Sequence, residues 1–422
     1  MLVTQTTNSA KDNYTQAGSF AMILACTLSL LFITGIQPKI ATVIAILIFF
    51  LIRTARFRAH FGCWTYFRPQ TVLTAITITY VLIVAVVQFS FYLSGGQGVD
   101  FGIFSQLIDQ VASKNRFWSS LIATEWHNFL THHFSPYLIP LGIIAKIGIP
   151  APYLLISVHV FAVGALAQGL YTLFFHFSRT VDPTVAFSSA AGLPHLLTLT
   201  TLLLPAARIG LMWETHDEVL ALPFLVWSIN AHFADYHRRK LMLLLPTLFF
   251  KETLALNIAA LSVWYTIDTK EDRILPMMLG IISLVFFVLY TSILPGWLWT
   301  STFKATERIG SIAHLTSWPI VIEKTLWAAK SFLPAVPFLF LHSRSSLRTA
   351  AFIALCASPN ILAILVSKVP NMHQPFNYYS ITPCVIIYIA CAAPIINARL
   401  IIITTLRFAC FLLPGRWQLS HN

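Results

Sequence analysis

Charge is what this chain has little of. Of its 422 residues only 10% are Asp, Glu, Lys or Arg, while 57% are hydrophobic. A soluble domain carries roughly a quarter charged residues, so the shortage excludes an ordinary soluble fold and leaves a polytopic membrane protein. Acids are scarcer than bases, 15 against 27, for a formal net charge of +12. In a soluble protein that excess would suggest nucleic acid; here it is assigned to topology, because Lys and Arg collect in cytoplasmic loops. Paired cysteines are also lacking. Cys26, Cys63, Cys356, Cys384, Cys391 and Cys410 form no CxxC pair, which indicates neither a disulfide framework nor a zinc site. No Gly-x-Ser-x-Gly elbow supports acyl transfer. There is no HExxH, no voltage-sensor stripe of arginines, no internal repeat, no low-complexity tract and no long linker.

What is present is a series of apolar runs separated by short polar stretches. Met1 to Ser19 is polar, and the run after it shows no cleavage site, which reads as a retained anchor and not a signal peptide. Runs at about 20–36 and 39–52 read as a helical hairpin. Arg53, Arg56, Arg58 and Arg68 follow without an acid, placing that loop and the N-terminus in the cytoplasm. The next run, about 71–93, then crosses outward and ends in LSGGQGVDFGIFSQ, Leu93 to Gln106. After it, Phe104, Leu107, Ile108 and Val111 fall on one helical face, and Phe117, Leu121, Ile122 and Phe129 suggest a second amphipathic helix lying flat in the interface. A piece near 136–148 is too short to span. Further crossings at about 152–177, 183–204, 218–234, 274–294, 323–341, 348–367 and 378–397 alternate to Arg399, with 241–266 read as two short segments broken at Lys251-Glu252 and 400–413 left open. The expectation is an all-α polytopic fold of about 11–13 transmembrane helices, with residues 1–70 as an N-terminal addition and 71–422 as one transmembrane domain with an external loop at about 94–151.

With the Arg-rich loops inside, every unusual polar cluster falls outside. The clusters are Asp100; His132-His133; Glu214, His216, Asp217 and Glu218; Lys251-Glu252; and Asn371, His373, Asn377 and Tyr378-Tyr379. Ionisable groups at membrane depth are costly and tend to be functional, so five clusters on one face point to a single external site. Each also has a plainer explanation. Asp100 could favour the N-terminus of the helix after it. Thr215 and Glu218 match the T-x-x-E capping box. Lys251 and Glu252 could pair with one another, at a break between two short helices. The histidines at 132 and 133 and the aromatics near 378 suit an interface. Glu214 and His216 are explained by none of these, and a carboxylate beside an imidazole suits ion binding or acid/base work.

The pieces DFGIFSQ (Asp100–Gln106), HHFSP (His132–Pro136), THDEVLALP (Thr215–Pro223) and KETLAL (Lys251–Leu256), with a weaker NYYSITP near Asn377, occur in this order over most of 95–270. In order and spacing they resemble a bacterial membrane-protein family, domain-of-unknown-function family 2079, which is grouped by similarity with the C-type (GT-C) membrane glycosyltransferases. Asp217 departs from the family's frequent Pro at that position. The resemblance implies a GT-C-like helical membrane enzyme with interfacial helices in its first large external loop, an acid of that loop in the active site, and a polyprenyl-phosphate-linked sugar as donor.

On that reading Asp100 accepts the proton of an acceptor hydroxyl in an inverting transfer. Lys251, with His373 or His132, stabilises the phosphate leaving group, and Glu252, Glu218, His133 and Tyr378 join the substrate site. Glu214 and His216 orient the acceptor, or hold a divalent cation if one is used. The expected partners are the lipid-linked donor and membrane lipids, not nucleic acid, with the active site on the extracytoplasmic side of the inner (plasma) membrane. The alternative is a transporter or flippase for a lipid-linked or small anionic substrate, with the same groups lining a path. A third reading is a non-catalytic partner in envelope assembly.

Overall fold

Pro69 opens the first helix, α1 (Pro69–Leu93), where a missing amide proton costs nothing because first-turn N–H groups have no intrahelical acceptor. Tyr80, Val84 and Gln88 are buried at four-residue spacing, whereas Ile78, Leu82 and Val86 are exposed. Both faces are apolar and the buried one carries the Gln88 amide, as suits a helix between protein and lipid. Gly95 ends it at φ +70°, in open space, a conformation that favours glycine. Gly96 N–H bonds the Phe91 carbonyl at 2.8 Å and Gly95 N–H the Tyr92 carbonyl at 3.2 Å, the paired reverse bonds of a Schellman cap.

The structure is a computed structural model that describes residues 69–121, 127–131, 133–179, 193–213, 215–269, 272–293, 317–332, 344–367 and 381–392. The hairpin expected over 20–52, the basic loop after it and the tail beyond 400 lie outside the described residues. The described chain is mostly helical. Among the described residues three helices are long and apolar enough to cross a membrane, at Ala151–Phe177, Ile274–Thr291 and Thr349–Val366, and shorter apolar helices cover Thr77–Leu93, Leu254–Asp268 and Ile381–Ala390.

Helix α2 (Val99–Lys114) buries Phe101, Ile103, Phe104, Leu107, Ile108 and Val111. This apolar face is covered by protein: it packs on the short helix α3 (Leu138–Ala145). The approach is so close that a Cβ at Gly142 would stand 2.4 Å from the Val111 side chain. Between them the expected second amphipathic helix is replaced, among the described residues, by a small antiparallel ribbon, β1 (Trp118–Ser119) with β2 (His127–Asn128). The reason is local. Gln106 Oε1 accepts bonds from Ser119 Oγ (2.6 Å) and the Ser120 N–H (3.1 Å), which hold that stretch extended on α2. Phe129 N–H also bonds the Phe117 carbonyl at 3.0 Å, so the two phenylalanines stack edge-on, not along one helix face.

Helix α4 (Ala151–Arg179) is followed by α5 (Leu193–Leu203) and α6 (Pro205–Met212). The chain breaks at Leu204, the end expected for the crossing at about 183–204; Leu204 is extended at ψ 137°, as the residue before a proline prefers. Helix α7 (Asp217–Phe233) is the central post: Asp217 to His232 is buried except at Phe224 and Trp227, and α7 packs most extensively along α4. Then come α8 (His237–Leu244), a 3₁₀ turn over Leu245–Phe249, α9 (Leu254–Asp268), and α10 (Ile274–Val288) with a π turn over Leu289–Ile293. The remaining helices are α11 (Trp318–Phe332), α12 (Arg344–Val366) and α13 (Ile381–Ala392). One large apolar core joins α1, α4, α5, α6, α7, α9, α12 and α13, and a second joins α2, α3 and the start of α4. By contrast α10 exposes Ile274, Met278, Ile281, Ile282 and Val285, the profile of a lipid-facing helix.

Candidate functional site

Four separated segments meet at the N-terminal end of α7. They are the first turn of α2, the stretch 133–137 before α3, the start of α7 itself, and the turn 250–253 before α9. Asp100 Oδ2 lies 3.4 Å from His216 Nδ1. His133 Nδ1 bonds Glu252 Oε1 at 3.0 Å, and the Phe134 N–H donates to Glu252 Oε2 at 3.1 Å. Lys251 Nζ donates to Glu218 Oε1 at 2.6 Å. Thus six of the ten singled-out residues, Asp100, His133, His216, Glu218, Lys251 and Glu252, come together. His132, Glu214, His373 and Tyr378 lie outside the described residues.

Several plain explanations fail on this geometry. The N-cap of α7 is His216 without a side-chain cap bond, Thr215 Oγ1 is buried without a partner among the described residues, and Glu218 is taken by Lys251; there is no capping box. Lys251 and Glu252 bond to different partners, not to each other. One plain explanation stands: Asp100 lies in the first turn of α2, where its charge favours the helix N-terminus, although no side-chain bond caps that helix.

Exposure separates the groups. The side chains of His216, Glu252, Glu218 and Lys251 are 2%, 2%, 5% and 9% exposed, whereas Asp100 is 37% exposed. Asp100 is therefore the carboxylate that a ligand can reach. Burial alone would raise its pKa; the hydrogen bond and charge of His216, with Lys251 and His133 behind, outweigh burial and hold it below the ordinary carboxylate value. The same balance is stronger at Glu252. Burial raises it, but the charge and hydrogen bond of His133, then Lys251 and the Phe134 amide, bring it down to about 2.

Three members of the site were given no role from the sequence. Ser135, from HHFSP, places its hydroxyl 2.8 Å from Asp217 Oδ2 and 2.9 Å from the Phe250 carbonyl oxygen. A hydroxyl has one proton, and a carbonyl only accepts, so a protonated Asp217 satisfies both contacts. Burial, with the charge of Lys251 opposing and that of Glu218 reinforcing it, pushes Asp217 up to about 8. The buried Tyr137 ring stands beside Asp217 as the third. The signal was available in part: Asp217 lay inside the densest polar cluster of the sequence.

The site thus combines an ionised, accessible carboxylate with a buried neutral one, an arrangement in which acid and base roles can be divided. Among the described residues no three His, Cys, Asp or Glu side chains are grouped to hold a metal ion. Glu214, the expected companion of His216 in such a role, is outside them. No family model, no curated protein and no solved structure matches the chain.

Proposed function

We propose that the protein is a GT-C-like membrane glycosyltransferase that moves a sugar from a polyprenyl-phosphate donor to an extracytoplasmic acceptor. The observation that carries this reading is the half-exposed, ionised Asp100 at the rim of an otherwise buried cluster, 3.4 Å from His216. In the reaction the acceptor oxygen attacks the anomeric carbon and gives its proton to Asp100. The bond from that carbon to the phosphate oxygen breaks, and the lipid phosphate leaves with the electron pair, so configuration inverts. His216 orients the Asp100 carboxylate and offsets the charge change there. Lys251, buried and donating to Glu218, acts through its field. The side of the membrane is inferred from the charge pattern of the sequence: with the Arg-rich loops inside, the site faces outward.

One observation favours the transporter alternative. The chain between α8 and α9 is interrupted at Lys251-Glu252, and broken helices of that kind line substrate sites in transporters. Both readings are tested together by supplying purified wild type and Asp100→Asn with labelled polyprenyl-phosphate sugars and envelope acceptors. The expected result is transfer by wild type and a loss of about 10²–10⁴-fold in the variant. Equal rates would sink the role of Asp100. Movement of lipid or sugar across liposomes without transfer would favour the transporter.

A further inference from the structure

The two partners of the Asp100–His216 pair lie on distant parts of the chain, yet both are moored to one residue. Gln88, fully buried near the end of α1, donates through Nε2 to the Trp213 carbonyl. Beside it, His159 of α4 bonds the Leu211 carbonyl through Nε2 at 2.8 Å. These carbonyls stand where α6 has ended, so no helical N–H reaches them; the two side chains replace the missing donors and set the direction in which the chain leaves. On its other side Gln88 receives Gln97, whose Nε2 donates to the Gln88 main-chain oxygen at 2.9 Å and to its Oε1 at 3.3 Å.

The proton count fixes the orientation of the amide. The Leu211 carbonyl only accepts, so His159 carries its proton on Nε2. The 3.4 Å approach of Gln88 Nε2 to that nitrogen is then two donors side by side, each aimed at its own carbonyl. Oε1 of Gln88 is left facing Gln97. The spacing is symmetrical: Gln97 lies three positions before Asp100, and Trp213 three before His216.

We propose that Gln88 is the positioning residue of the Asp100–His216 pair, setting its separation by anchoring the chain just before each partner. The consequence for turnover rests on the reading of Asp100 as proton acceptor; the consequence for geometry does not.

The geometry is read in the full-length protein with Asp100→Cys and His216→Cys together, bridged by a short bis-thiosulfonate reagent in membranes. The pair's own contact is then absent, and the separation reports how well the packing of α2 and α7 and the Gln88 anchors hold the positions. Adding Gln88→Leu is expected to slow bridging by about tenfold or more, and Gln97→Ala, which cuts one arm at a half-exposed turn, by less. A Gln88→Leu protein that elutes like its parent and bridges within about twofold of the parent's rate overturns the proposal. Should Gln88→Leu fail to fold, Gln97→Ala decides: slower bridging supports the proposal and an unchanged rate overturns it. In the transfer assay, Gln88→Leu in the otherwise native chain should lower kcat at constant KM. Slowed bridging with full transfer would sink the role of Asp100 while leaving that of Gln88 intact.

Discussion

An aspartate–histidine pair sits at each end of α7. At the N-terminal end His216 meets Asp100 at 3.4 Å; at the other, His232 Nε2 meets Asp268 Oδ2 at 3.0 Å. Both histidines are buried, and both carboxylates are partly in water, 37% and 46% exposed. The surroundings differ. Around His232 the polar groups close on themselves: Lys240 Nζ donates to His232 Nδ1 (3.1 Å) and Thr269 Oγ1 (2.8 Å), and Ser228 bonds the Lys240 carbonyl (2.7 Å) and the Tyr265 hydroxyl (2.9 Å). Around His216, Glu218 Oε2 is buried without a hydrogen-bond partner among the described residues. An unsatisfied buried oxygen costs about 1–3 kcal/mol, a cost that native structures keep where something must bind or react. One end is a closed clamp made by three consecutive helices; the other gathers residues from 100 to 252 and retains bonding capacity.

The largest effect that separates the ends is expected at the two buried lysines. Lys251→Met strands Glu218 as a buried carboxylate and should cost about 3–5 kcal/mol in detergent-phase unfolding. Adding Glu218→Leu should recover most of it without recovering transfer. Lys240→Met strands no buried charge, because Asp268 reaches water; it removes donors from His232 and Thr269 and should cost about 1–3 kcal/mol. Equal costs at the two lysines would break the comparison.

A smaller effect is expected with pH. Glu252 has its folded pKa depressed from an ordinary 4.5 to about 2. The stability it contributes is therefore fully present above pH 4.5 and is lost as pH falls through about 2, a loss on the order of 3 kcal/mol. His133→Ala removes the largest stabilising cause and should flatten the acid limb of the stability profile between those values. Wild type and His133→Ala unfolding with the same acid dependence would show that Glu252 is not held by His133.

Much of the site was legible because ionisable groups are rare in so apolar a chain. Asp100, His133, His216, Glu218, Lys251 and Glu252 stood out by residue type alone. Their partners did not. Thr215-x-x-Glu218 has the spacing of a cap and Lys251-Glu252 the adjacency of a pair, but partner choice is decided by long-range packing, which brings residues 133 and 218 to 252 and 251. Gln88 was invisible: a neutral amide within an apolar run gives no signal until the carbonyls it serves are placed. In the fold, the helical runs at 71–93, 152–177, 218–234 and 274–294 were readable from length and hydropathy. The ribbon at Trp118–Asn128 was not, since Gln106 holds it open across thirteen positions of sequence.

The smallest effect provides the sharpest contrast between the ends. Asp268→Asn keeps an acceptor oxygen for His232 Nε2–H, and the ion pair it loses is 46% exposed on the carboxylate side. Half-exposed pairs contribute little, so stability should change by about 0.5 kcal/mol or less. Transfer should be unchanged, because the buried polar groups around His232 are bonded to one another. Asp100→Asn is the same substitution beside a similarly buried histidine, and it too should leave stability nearly intact while transfer is lost. Measured side by side, the two variants hold chemistry and exposure nearly constant and vary only the surroundings. If Asp268→Asn depresses transfer as deeply as Asp100→Asn, unsatisfied buried oxygens do not mark the functional end of α7, and the distinction between clamp and site falls.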